Sequence, residues 1–107
     1  MARSWDFRDE WCLGPDKLIE LKEFVDASVE SAHVAITDAT VTFDAKDDIA
    51  GSAIVTGVSM PHVSNGLYRG TLADDLSVTR GQRVRIEIHA NGGSGKQLER
   101  RGLLVVV

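Results

Sequence analysis

The side chains of this chain that could carry chemistry are few and dispersed. The histidines His33, His62 and His89 form no H-x-H or H-x-x-x-H pair, and none joins the single Cys12 in a ligand motif. A metal centre needs several ligands converging in space, and this spacing supplies no such set. Asp44, Asp47 and Asp48 offer oxygens, but D-x-x-D-D lacks the alternating ligands and distant Glu of a calcium loop, so they read as turn or surface charge. His89 alternates with Glu87 on an outward face and reads as solvated. Gly92 to Gln97 superficially resembles a phosphate loop. Its first glycine position is Ala90, Gln97 replaces the Ser/Thr, and a strand follows where a helix N-terminus would hold phosphate. No serine lies in a G-x-S-x-G elbow, and Cys12 has no activating base beside it. The acids Asp74-Asp75 read as surface charge. Arg80, Arg83, Arg85, Arg100 and Arg101 could form a basic patch, but Glu87 and Glu99 among them make cross-strand ion pairs the simpler expectation. No catalytic, cofactor-binding or metal residue is assigned, and the expectation is a protein that is not an enzyme and needs no cofactor.

The elements that would position these residues are strands. Ala39, Val41, Phe43 and Ala45 alternate with Thr40, Thr42, Asp44 and Lys46, the pattern of a half-buried strand. Asp47-Asp48 and Gly51 close it with a turn. Residues 53–59 read as a further strand with a bulge at Gly57, and Met60-Pro61-His62 interrupts the ladder because Pro61 has no N–H. Asn65-Gly66 then turns into Leu67–Leu72, where Tyr68, Gly70 and Leu72 share a face. Arg83 to Ala90 alternates most cleanly, with Val84, Ile86, Ile88 and Ala90 inward. A glycine-rich loop at 91–96 leads to a last strand from Gln97 to Val107. Its Leu103-Leu104-Val105-Val106-Val107 cannot all be covered by one face, so either the strand lies between covering layers or its outer face meets another subunit. Residues 17–25 fit strand and helix; strand is preferred, which turns Glu23 inward. A short strand near 32–36 is doubtful. There are six clear strands and one doubtful one, with no strand–helix–strand run, so the strand pattern fits an all-β Greek-key sandwich or a small barrel.

Size and charge bound the partners. A chain of 107 residues forms one domain, and 43% hydrophobic with 26% charged residues is a globular balance. Residues 1–16 stand apart as an N-terminal aromatic arm carrying Trp5, Phe7 and Trp11, and residues 17–107 form the sandwich domain. The arm reads either as a strand covering an open end of the core or as an anchor for a partner. Net charge is −4, split between −7 for residues 1–63 and +3 for residues 64–107. The acidic total disfavours nucleic acid. The absence of an apolar run excludes a membrane span or signal peptide and leads to an expectation of cytoplasmic synthesis.

The turn Ser64-Asn65-Gly66-Leu67-Tyr68, with Arg80-Gly81-Gln82-Arg83-Val84-Arg85-Ile86-Glu87-Ile88 and a final hairpin strand, resembles small immunoglobulin-like modules. With the aromatic arm, the chain looks most like the immunoglobulin-like structural proteins of tailed bacteriophages and prophages, over residues 17–107. The resemblance selects the Greek-key sandwich of about seven strands and implies a virion component or assembly adaptor of the head, neck or tail, built into an oligomer. The paired cysteines and core tryptophan of an antibody domain are missing. On this reading Trp5, Phe7, Trp11, Leu103, Val105 and Val107 are the candidate interface with identical subunits or other virion proteins. The rival expectation is a carbohydrate- or cell-surface-binding sandwich that stacks aromatics on sugar. Tyr68 is expected in the third-from-last strand, without a partner assigned to its hydroxyl. Gly70 is expected to make room for a neighbour such as Trp11 or Phe43.

Overall fold

The computed structural model describes residues 5–13, 16–22, 24–26, 34–73, 76–93 and 97–107. Glu23, His33, Gly14-Pro15, Asp74-Asp75, residues 1–4 and the 94–96 part of the last loop lie outside the described residues. Every regular element described is a strand: β1 (Phe7–Trp11), β2 (Lys17–Leu21), β3 (Val25–Asp26), β4 (Val34–Ala35), β5 (Thr40–Asp47), β6 (Ala53–Ser59), β7 (His62–Ser64), β8 (Leu67–Leu72), β9 (Arg83–Asn91) and β10 (Gln97–Val106). The ambiguous stretch after Lys17 is therefore extended over β2, with Ile19 and Leu21 buried as period two requires. The doubtful strand shrinks to β4, and β7 resumes a ladder immediately after Pro61.

Two sheets enclose the core. One has the order β1-β10-β9-β5-β6 and the other β2-β8-β7, with β3 and β4 pairing as a separate ribbon. The inward sets are those that alternation picks out: Val41, Phe43 and Ala45 from β5, Val84, Ile86, Ile88 and Ala90 from β9, and Tyr68 and Leu72 from β8. β10 lies between β9 and β1, antiparallel to the first and parallel to the second. Leu104 and Val106 face the core, while Leu103 on the opposite face sits in register between Arg8 and Arg85. Long arginine stems cover neighbouring apolar surface, which lets a run of apolar residues persist on a strand with one core face.

Glycines admit one bulge and two close approaches within the strands. Gly57 has φ +65° and sits where β6 carries an extra residue against β5, so the expected bulge is present. A Cβ at Gly70 would lie 2.9 Å from both Met60 Cγ and Phe43 Cε1. Phe43 thus takes the space expected for it, and Met60 rather than Trp11 takes the rest. At Gly102 a Cβ would collide with the ring of Phe7, its register partner on β1, so the first strand seats its aromatic on a residue with no side chain.

Tyr68 opens the third-from-last strand, as expected, and its ring is fully buried. Its hydroxyl has two partners: it donates to the Ile36 carbonyl at 2.7 Å and accepts from the Ala39 N–H at 3.0 Å. Phe24 and His62 pack edge-on against the ring, and the Phe24 backbone bonds both Gly66 and Ile36. Removing the hydroxyl alone leaves a buried carbonyl and an amide without partners, at about 1–3 kcal/mol for a stranded group. Tyr68→Phe should therefore lower the urea-unfolding free energy by about 2 kcal/mol. A loss under about 0.5 kcal/mol would show that the 36–39 segment is held by something else.

Candidate functional site

The densest set of reactive side chains lies on the solvent face of the five-stranded sheet. Outward residues of β9 stand between those of β5 and β10: Glu87 is opposite Asp44 and Arg101, and His89 is opposite Thr42 and Glu99. Ligand-type atoms of Asp44, Glu87 and His89 all fall within 4.8 Å of one another. His89 is held from both sides, with Nε2 3.3 Å from Asp44 Oδ2 and Nδ1 3.2 Å from Glu99 Oε1. The other Asp44 oxygen, Oδ1, accepts the Gly57 N–H at 2.8 Å, so the bulge in β6 fixes this carboxylate.

Cations balance the acids. Lys46 Nζ donates to Glu87 Oε1 at 2.9 Å, and Arg85 Nε lies 3.1 Å from Glu87 Oε2. The Arg85 contact is close enough for charge attraction but out of line for a hydrogen bond, so that buried N–H has no hydrogen-bond acceptor. The Lys46 bond is the main reason that the Glu87 carboxyl titrates below the usual range; burial opposes it, and Lys46, Arg85 and Arg101 add charge attraction. Arg83 and Arg85 also reach Asp48, at 3.7 and 3.8 Å. Among the described residues the arginines differ from the expected cross-strand pattern: Glu87 takes Arg85 from its own strand and Lys46 from β5, Glu99 takes His89, and Arg83 and Arg85 turn to Asp48.

Alternation places Glu87 and His89 on one face and turns Asp44 outward, but nothing in the sequence states that β5 pairs with β9. The cluster follows from that register alone. Asp47 and Asp48 serve the turn and the arginines, as their reading as turn and surface charge requires. A second feature is an open cleft of about 360 Å³ where β1 and β2, edge strands of the two sheets, face each other. Ile88 and Leu104 line its apolar part, Arg100 is among its polar residues, and an Asp9–Lys17 ion pair joins β1 to β2.

The expected interface residues separate. Trp11 is 2% exposed and Leu103 3%, so both are buried within their own domain and offer a partner no surface. Their burial argues against a place in the interface set: Trp11 faces inward in register with Val106, and Leu103 stands in register between Arg8 and Arg85. Trp5, Phe7 and Val105 are half-buried, and Val107 is 41% exposed. Val107 N–H donates to Trp11 O, and Leu13 N–H approaches Val107 O at 3.5 Å, so exposed Leu13 and Val107 meet at one end of the β1–β10 pair. Of the six aromatic residues, Trp11, Phe24, Phe43 and Tyr68 are buried. Among the described residues there is no helix long and apolar enough to cross a membrane.

No family model, curated protein or solved structure matches this chain.

The turn from β5 to β6 gives the charged face a measurable acid response. Asp47 Oδ1 accepts the N–H groups of Ala50 and Ile49, and Oδ2 accepts from Gln82. These bonds, the Ala50 one foremost, hold the Asp47 carboxyl below the ordinary aspartate range. A folded-state pKa below the unfolded one contributes stability above the unfolded value of about 3.9, lost as pH falls through the lower folded value. Asp47→Asn should accordingly be less stable than the parent at neutral pH, with the gap closing as pH falls below about 4 in urea unfolding. A gap that is constant or widens toward acid contradicts this assignment.

Proposed function

We propose that this chain is a non-enzymatic structural or assembly-adaptor module, an immunoglobulin-like sandwich of a phage or prophage head, neck or tail that acts through protein–protein contacts. The observation that carries the reading is the exposed apolar end of the β1–β10 pair, where the Leu13 and Val107 backbones adjoin and both side chains are exposed. Exposed apolar surface rimmed by polar residues marks contact sites. Half-buried Trp5, also of the expected interface set, lies toward the opposite end of β1, beside Phe7, whose ring seats on Gly102.

Strand order supports the fold half of the proposal. The succession β10-β9-β5-β6 over β2-β8-β7 parallels the G-F-C-C′ and B-E-D orders of variable-type immunoglobulin sandwiches, with β1 added beside the last strand. The rival carbohydrate-binding reading calls for an exposed aromatic platform, and burial of four aromatics leaves it only Trp5 and Phe7. A contact module needs a rigid frame and a sticky end and no reaction chemistry. In the intact particle its copies or virion neighbours would cover that end.

Light scattering across a concentration series tests the self-assembly form. The chain should pass from monomer to a defined oligomer, and Val107→Glu or Trp5→Ala should weaken the association by about tenfold or more, the mark of a hot-spot residue. Trp11→Ala is unsuitable because it removes a core side chain. A monomer at every concentration rejects self-assembly, and a gene neighbourhood without capsid or tail genes rejects the virion context.

A further inference from the structure

We propose that Asp44, Glu87 and His89 bind one zinc ion on the outer face of the five-stranded sheet, with Glu99 orienting the imidazole. The inference is independent of the assembly reading. Its starting point is a proton count. A neutral imidazole has one N–H, yet both ring nitrogens of His89 abut carboxylates. With the N–H on Nδ1 directed at Glu99, the Nε2 lone pair faces Asp44 Oδ2, and either a second ring proton or a metal ion can join the two. Ligands about 2.0–2.1 Å from a tetrahedral zinc stand about 3.4 Å apart. The Nε2–Oδ2 separation is 3.3 Å, so an ion enters between them with little movement of either group.

The surroundings supply the rest of a metal site. A carboxylate on the second nitrogen of a ligating histidine fixes its tautomer and direction, and Glu99 occupies that position beside Nδ1. Asp44 is held by the Gly57 N–H through the oxygen that does not face the ring. Glu87 brings the second anionic ligand once Lys46 or Arg85 yields one of its oxygens, and water completes the coordination. One imidazole nitrogen with carboxylate oxygens suits zinc better than magnesium, which favours an octahedron of oxygens. Lys46, Arg85 and Arg101 surround Glu87 and compete for it, so binding is weaker than at a closed structural site. That competition provides a test of its own: neutralising Lys46 should tighten binding.

The probe is zinc chloride titrated calorimetrically into the full chain carrying Cys12→Ser, which removes the exposed thiol as a competing ligand. At about pH 7.5 the chain should take up one ion per molecule, and magnesium should give no heat. Asp44→Asn keeps an oxygen for Gly57 and His89→Gln lies on an exposed face; each should weaken binding by about tenfold or more. Glu99→Gln should weaken it less, and Lys46→Gln should strengthen it. Thermal melts without zinc confirm that each variant is folded. The proposal is overturned by no saturable binding up to about 1 mM, by affinity unchanged in Asp44→Asn, or by His89 ring resonances that zinc leaves unmoved while the acids shift. The last result would mean that a proton, rather than a metal, bridges the ring to its acids.

Discussion

The hydroxyl of Tyr68 is the contact on which the connection between the two sheets depends. β8 belongs to the small sheet, whereas the Ile36–Ala39 segment leads into β5 of the large one. By accepting one backbone amide and donating to one backbone carbonyl, a single phenol stands in for a strand partner where the chain crosses from sheet to sheet. The crossing segment would otherwise bury polar groups that no ladder satisfies. Everything downstream, including the placement of Asp44 beside β9, presupposes that β5 starts where this anchor leaves it.

Gly66 and Phe24 extend the same anchor. A Cβ at Gly66 would lie 2.7 Å from the Phe24 carbonyl oxygen, and the Phe24 N–H donates to Gly66 O at 3.0 Å. The Asn65-Gly66 turn is thus tied to the segment preceding β3, and the aromatic edge of Phe24 meets the Tyr68 ring. Local turn chemistry and long-range packing meet at the same few residues.

Much of this arrangement is readable from alternation, because a half-buried strand exposes its period directly. β5, β8 and β9 are evident in that way, as is the bulge at Gly57. What alternation does not state is which strand lies beside which. The Tyr68 partner is 32 residues away, and the Asp44–His89 contact spans 45, so both depend on register. β10 obscures its own pattern, since Leu103 is buried on the face that alternation assigns to solvent. Trp11 reads as a docking residue because an aromatic near an end of the chain resembles an anchor. Its burial follows from β1 joining the sheet beside β10. The opposed charges of the two halves of the sequence have a similar origin: Lys46 meets Glu87, Asp48 meets Arg83 and Arg85, and Glu20 meets Arg69 across strand boundaries. Linear charge segregation becomes local neutrality once the halves interleave.

The parallel pairing of β1 with β10 has a consequence for biosynthesis. A ribosome releases Phe7 and Trp11 long before the strand that receives them, with the Gly102 notch. Until then two large aromatics of the arm lack their β10 neighbours, and closure of the sheet must join segments far apart in sequence. Contacts of such long sequence separation form slowly, and apolar surface awaiting its partner is open to chaperones and to aggregation. The final strand is therefore the step that commits the domain, and a chain arrested before Gly102 would display its N-terminal aromatics to the cell.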